Sequence, residues 1–294
     1  MSIVMIMGSA KARLEFLRAN QNADGGWGYF PGLESRVEAS CYALRAIGAT
    51  DERWGAGIAY LSARQDKSGG LAPSASVPGA TWVTSLAFPL LREGGASQKS
   101  LEAAADWILD SEGAEGGVMQ RLLYSLGKSK VDQDPRLKGW PWRPDNNSWV
   151  EPTAHGLLAL QWMDGLGSEA GRRYRREMAT KMLLDRRCED GGWNYGNKKV
   201  LGEVLPAFPE TTGLALIGLV RSGLDLGVSI AKAKQDYSQT KGCYGKALLA
   251  IALRLHGERV SYTPEHAAGH PSRNLMLAAI EALAESGGKE AFLP

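Results

Sequence analysis

Cysteine is scarce in this 294-residue chain: Cys41, Cys188 and Cys243 are an odd, widely spaced set. They form no disulfide framework, so a reducing, cytoplasmic setting is the expectation. An excess of one charge is also missing. The 34 Lys and Arg against 32 Asp and Glu leave a formal +2, too mild to imply a nucleic-acid partner. No run reaches the ~18 apolar residues of a membrane-spanning helix. The short apolar stretch at residues 3–7 has no basic residue before it and is too short for a secretory signal core. Alternating runs of strand type are absent. So are a phosphate-cradling glycine loop before a strand, a Ser/His/Asp arrangement and an Asp-rich diphosphate motif.

Glycine and tryptophan are plentiful instead, with 36 Gly and 9 Trp against 5 Phe. The glycines cluster in a repeated phrase. Gln21-Asn-Ala-Asp24-Gly-Gly-Trp27 is its fullest copy, and Gln65-Asp-Lys-Ser-Gly-Gly-Leu71 carries Leu in place of Trp. Gln133 to Gly139-Trp140-Pro-Trp142 is a stretched third copy, and Cys188-Glu-Asp190-Gly-Gly-Trp193 is the fourth. Irregular intervals with similar content indicate a helical repeat array with loop insertions, the largest between residues 128 and 150.

Segments before these phrases mix charge with apolar positions at helical spacing, as amphipathic helices with one wet face do. The four-arginine run Arg172, Arg173, Arg175, Arg176 reads as such a solvated face, or as a contact for an anionic membrane surface or a diphosphate. Segments after the phrases are almost wholly apolar or small, for example Leu157-Leu-Ala-Leu160 and Leu214-Ala-Leu-Ile217. Helices of that kind are surrounded by protein. About a dozen helices, alternately outer and inner, would close into two concentric layers around an apolar cavity, or stack as a flat solenoid. Gly-Gly permits positive φ, and the following Trp buries a large ring with an N–H to donate. Trp27, Trp140 and Trp193 therefore read as staples between an outer helix and the next inner one.

The double phrase resembles the repeat of the squalene–hopene and oxidosqualene cyclases and of the β-subunits of protein prenyltransferases, over roughly residues 10–286. Trp149-Val-Glu151-Pro-Thr153 through Leu160 also looks like inner helices of the cyclases. The resemblance implies an all-α, single-domain α/α toroid over residues 1–294. Inner helices would then start at one mouth, with a ring of Glu38, Thr81–Trp82, Glu151, Glu210, Cys243 and His270.

Each glutamate in that ring is open to two readings. It can favour a helix N-terminus through the dipole, Glu151 beside Pro152 above all. Or it can be a buried carboxylic acid that desolvation keeps protonated, fit to start a reaction. The expected function is acid-initiated cyclisation or isomerisation of an isoprenoid or similar apolar molecule. Glu151, Glu210 and Glu38 are the candidate acids. Trp82, Trp142, Trp149, His155 and Tyr42 are the candidate substrate-binding groups, with aromatic faces for carbocations. His155, four residues after Glu151, shares its helix face.

The Asp-x-Asp-Asp acid motif of the cyclases does not occur, and Asp132-Gln-Asp134-Pro135 is the nearest string. A non-catalytic toroid holding a lipid, peptide or protein is the alternative. A lesser one is zinc-dependent prenyl transfer with a partner subunit. Zinc would use Cys243 and His270, with Asp236, Glu265 or His266 in support, and Lys241 stands where that family has Asp. Otherwise no cofactor is expected. Peripheral membrane contact and a protein partner remain open.

Overall fold

The computed structural model describes residues 10–129, 132–264, 273–287 and 292–294. The helices in chain order are α1 (Ala10–Ala19), α2 (Val37–Ile47), α3 (Trp54–Ser62) and α4 (Val83–Glu93). Then come α5 (Gln98–Asp110), α6 (Val118–Ser125), α7 (Val150–Gln161) and α8 (Glu169–Asp185). The last are α9 (Pro209–Gly218), α10 (Gly227–Gln239), α11 (Cys243–Leu255) and α12 (Leu275–Ser286). A two-stranded hairpin, β1 (Lys199–Val200) and β2 (Glu203–Val204), is the strand structure among the described residues.

Six helices form a closed inner ring. Helix α2 packs on α4, α4 on α7, α7 on α9, α9 on α11, α11 on α12, and α12 returns to α2. That last contact makes the chain an α/α toroid and excludes the solenoid. Outside the ring, α1 covers α12 and α2, α3 covers α2 and α4, and α10 covers α9 and α11. Helices α5 and α8 lie over α4 and α7 and touch each other.

Burial follows the two sequence types. Every residue of α7 from 152 to 160 is buried. In α8 the buried residues are Arg175, Ala179, Met182 and Leu183, one stripe at the i, i+4, i+7, i+8 spacing. The basic run on α8 is therefore only half solvated. Arg175 is buried, stacks 4.1 Å from the Trp140 ring centroid and donates to the Ser111 and Gly139 carbonyls. Arg172 donates to the Met163 carbonyl, while Arg173 and Arg176 are exposed.

The turn residues bind in four directions. First, the indole N–H groups of Trp27, Trp140 and Trp193 donate to Leu17, Ile108 and Leu183, at the carbonyl ends of α1, α5 and α8 (2.8, 2.8 and 2.7 Å). Second, their backbone N–H groups donate to hydroxyls of the next inner helix: Ser40, Thr153 and Thr212. Leu71 uses Thr84 in the same way. Third, the carbonyls of Trp27, Trp140 and Trp193 accept from Arg36, Trp149 and Phe208, the residues that open α2, α7 and α9.

The fourth direction is lateral. Two residues past each turn position, a carbonyl accepts from the start of the preceding inner helix. Tyr29 O takes Leu275 N, Pro73 O takes Val37 N, Trp142 O takes Trp82 N, and Tyr195 O takes Val150 N. Orphan N–H groups at helix starts are satisfied by the neighbouring repeat, which stitches the ring together edge to edge.

Gln21 and Gln65 each donate to a carbonyl inside their own turn and to one in the next outer helix region, Arg53 and Ser100. The stretched third copy departs from this. Its turn is split by the insertion that carries α6, and Gln133 bonds Asn197 instead. Two helix starts add detail. Helix α7 begins at Val150 with Trp149 as N-cap, so Pro152 stands inside the first turn. At the start of α9, Thr211 donates to the Trp193 carbonyl of the preceding turn.

Gly25 shows why the glycine is needed. Its φ is +86°, and a Cβ there would collide with the Ala56 carbonyl of α3. Gly32 has φ +76° with nothing near. Gly32→Ala should cost only the left-handed penalty, about 1 kcal/mol. Gly25→Ala should cost at least about twice that, because backbone must move as well. Urea denaturation of the two variants checks the difference, and equal midpoints would refute the tight-turn account.

Candidate acid site at the mouth of the toroid

Glu38, Glu151 and Glu210 stand in the first turns of α2, α7 and α9. None of these three helices has a side-chain cap at its N-cap residue. Two of the glutamates accept from tyrosines instead. The Tyr29 hydroxyl donates to Glu38 Oε2, and the Tyr195 hydroxyl donates to Glu210 Oε1 at 3.1 Å.

The three carboxyls share one field. Burial, then the charges of Glu38 and Glu210, push Glu151 up to about 8. Glu38 is raised by burial, against the lowering effect of the Tyr29 hydrogen bond. Like charges in a poorly solvated site cannot all ionise, so protons are retained. At neutral pH Glu151 is a neutral carboxylic acid.

Below the carboxyls lies a group of rings. Tyr42 of α2 and His155 of α7 are both fully buried, with Oη and Nε2 3.5 Å apart. Helices α2 and α7 are separated in the ring by α4, so this contact crosses the interior. The open apolar cavity expected from the sequence is therefore bridged at this level. Trp82 packs on Trp142 edge to face (4.9 Å between centroids, 88°) and on His155 (5.4 Å). Tyr244, in the first turn of α11, feels Tyr42 and all three glutamates, and burial holds its hydroxyl protonated.

His155 meets Tyr42 rather than Glu151. Burial, then the charge of Arg45, lowers its pKa to about 3, so the imidazole is neutral. Deeper still, the interior departs from a purely apolar lining. Arg45 is buried, donates to the Leu86 carbonyl and lies over the Phe292 ring at 5.1 Å. Arg221, just beyond α9, donates to the Pro294 carbonyl. The C-terminal residues thus lie under the end opposite the carboxyls.

The expected site residues divide clearly. Glu38, Glu151, Glu210, Tyr42, Trp82, Trp142 and His155 come together. Trp149 does not join them, because its ring turns outward against Gly196. Cys243 begins α11 as expected, but its thiol lies beside Glu281, which is already held by Arg13 at 3.0 Å and by the Tyr262 hydroxyl. Among the described residues no three His, Cys, Asp or Glu side chains could hold a metal ion. His270, Glu265 and His266 lie outside the described residues, and α12 starts at Leu275 under an Asn274 cap. No described helix is long and apolar enough to cross a membrane.

Tyr29, Tyr195, Tyr244 and Arg45 were not singled out from the sequence. For two of them a signal exists. Tyr29 and Tyr195 follow their turn Trp by two positions, and Trp142 stands likewise after Trp140. The aromatic residue at that offset reaches the mouth in all three copies.

No family model matches the chain, and no curated protein does. Solved structures do match in shape. A type II terpene cyclase, MstE from Scytonema, superposes with a TM-score of 0.56 at 13% identity, over 98% of this chain and 100% of that one. A GH76 α-mannanase from Bacteroides thetaiotaomicron gives 0.53 at 12% identity, over 96% and 95%. A protein from Actinoplanes gives 0.53 at 17% identity, over 84% and 73%. Likeness at this identity establishes the toroid and leaves chemistry to the site.

The raised Glu151 predicts a pH dependence. The folded state binds a proton there that the unfolded chain releases near 4.5, so stability falls as pH rises from about 5 to 8. The slope has an upper bound of about 1.4 kcal/mol per pH unit. Glu151→Gln should flatten it and raise the melting temperature most at pH 8. Calorimetry from pH 5 to 9 checks this, and parallel curves for the two proteins would refute a raised Glu151.

Proposed function

We propose that the protein is an acid-initiated, terpenoid-cyclase-like enzyme that cyclises or isomerises an isoprenoid or similar apolar substrate. The observation that carries this reading is Glu151, a carboxyl kept protonated at the mouth directly above a cluster of aromatic rings. The proton would pass from the Glu151 carboxyl to an alkene carbon, leaving a carboxylate and a carbocation. The faces of Trp82, Trp142 and Tyr42 would stabilise the cation. A closing proton would leave carbon for a base. Neutral His155 and the Glu151 carboxylate are the two groups placed to take it. Glu38 and Glu210, each held by a tyrosine, would keep Glu151 protonated between turnovers. The squalene-cyclase resemblance agrees with this chemistry, and the shape match to a type II terpene cyclase supports the toroid that would house it.

The acid differs from the family's Asp-x-Asp-Asp. A carboxylic acid is a weak donor to an alkene, so the site depends on positioning and on exclusion of water. That same absence favours one other reading, a toroid that binds a lipid without converting it.

The rim fits an apolar substrate delivered from a membrane surface. Phe30 and Leu33 in the connection to α2, and Leu201, Val204 and Phe208 in the connection to α9, are exposed. Helix α6, in the connection to α7, buries nothing and exposes Val118, Met119, Leu122 and Leu126. Positions 116–131 carry Arg121, Lys128 and Lys130 and no acid, the composition of an interfacial helix drawn to anionic lipid.

Two measurements test the proposal. Incubation with C15 to C30 isoprenoids and mass spectrometry should give a rearranged product, with Glu151→Gln slower by at least about 100-fold. Bound but unconverted substrate in the wild-type protein would leave the binding reading. Vesicles containing phosphatidylglycerol should co-sediment the protein more than neutral ones, and Leu122→Ser with Leu126→Ser should release it. Equal recovery with and without anionic lipid would sink the membrane contact.

A further inference from the structure

The mouth is open to the depth of one helical turn. Glu38, Glu151, Glu210 and Tyr244 stand in the first turns of their inner helices and are half-buried. Four residues on, in line with them, come Tyr42, His155, Leu214 and Leu248, and their exposed fractions are 0%, 1%, 2% and 0%. Leu86, four residues after Trp82, is 1% exposed. A space able to hold one water against these side chains would give them accessible surface. This second layer is therefore sealed, from above and from below. Arg45 and Phe292 continue the filling toward the opposite end.

The seal is made of side chains that meet across the axis. Tyr42 Oη reaches His155 Nε2 at 3.5 Å, and Trp82 lies against His155 with Trp142 packed on it in turn. Four residues of α-helix rise about 6 Å. An extended prenyl unit spans four carbon–carbon steps, about 5 Å for bonds of about 1.5 Å. One unit fits between the carboxyls and the seal, and a chain of several units folded about the axis does not. Outside the bowl, Phe30, Leu33 and Phe208 are exposed and give the rest of such a chain an apolar rim to lie on.

We infer that only the terminal prenyl unit of the substrate enters the toroid, and that the reaction is isomerisation of that unit's double bond rather than polycyclisation. The chemistry rests on the acid role proposed above for Glu151, whereas the one-unit limit rests on the sealed layer. The Glu151 O–H proton forms a C–H bond at the less substituted alkene carbon, and the π pair supplies the electrons. The tertiary cation beside it then loses a proton from a flanking carbon to the Glu151 carboxylate, and that C–H pair becomes the new double bond. The proton balance closes on Glu151 with no co-reactant. Tyr42 bounds the site from below, so a chain of any length presents the same end to the acid.

The test uses the full chain with farnesol, geranylgeraniol and squalene. A soluble gadolinium chelate added to the farnesol complex should broaden the NMR signals of the alcohol end and the central methyl, and spare the terminal methyls. Tyr42→Ala, with an unchanged far-ultraviolet spectrum, should extend that protection to the central methyl. In deuterium oxide all three isoprenoids should take up deuterium in terminal units alone and form no ring. Their rates should agree within about threefold, because units outside the bowl make no contact with the reacting end. Equal protection of every farnesol methyl in the wild-type protein, or a rate difference of about tenfold or more among the lengths, would overturn the one-unit limit. A polycyclic product that is lost in Glu151→Gln would keep the acid and overturn that limit. Protected terminal methyls without deuterium uptake would keep the one-unit site and remove the acid role. Farnesol that does not bind at all would overturn both.

Discussion

The toroid depends on one hydrogen-bonded unit, the tryptophan turn. A single turn residue ties an outer helix through its indole, the next inner helix through its backbone N–H and C=O, and the preceding inner helix through the carbonyl two residues on. Helix starts carry N–H groups with no partner in their own helix. Here the adjacent repeat supplies the partner for α2, α4, α7 and α12. Burial of the inner helices would be costly without this, because buried N–H groups must be bonded. Closure of the ring and satisfaction of its helix ends are thus the same event.

That unit also positions the mouth. The lateral carbonyls belong to Tyr29, Trp142 and Tyr195, so their side chains are fixed where neighbouring inner helices begin. Two of them hold Glu38 and Glu210, and the third packs on Trp82. The scaffold gathers three carboxyls, two of them, Glu38 and Glu151, where burial disfavours charge, and the raised Glu151 is the electrostatic consequence. Such a site lowers stability at neutral pH, and the stitched ring bears that cost.

Much of the architecture was legible in the residues themselves. Gly-Gly-Trp with Gln21 or Gln65 announced the turns, and the apolar runs of α7 and α9 announced the inner layer. Glu38, Glu151 and Glu210 were legible as a ring once all inner helices were set to start at one mouth. The third repeat was misleading, because the insertion displaced Gln133 and left Gly139-Trp140 to follow α5 at a distance. Trp149 stands, like Trp82 and Trp142, outside the Gly-Trp turn itself, yet as the N-cap of α7 it points away from the helix face that carries His155. The Tyr42–His155 contact was out of reach, since it joins helices 113 residues apart that are not neighbours in the ring.

Local residue pattern is enough for the alternation of outer and inner helices, because burial follows local apolar pattern and turns follow local glycine and tryptophan. It determined as well that carboxylates would head three of the inner helices. Closure of the ring in space is what brings the charges of Glu38 and Glu210 to bear on Glu151, raises its proton affinity, and sets Tyr42 and Arg45 across the interior. Desolvation and charge coupling are properties of what surrounds a group in space. In this chain the surroundings come from α2, α7, α9 and α11, which meet only when the ring closes.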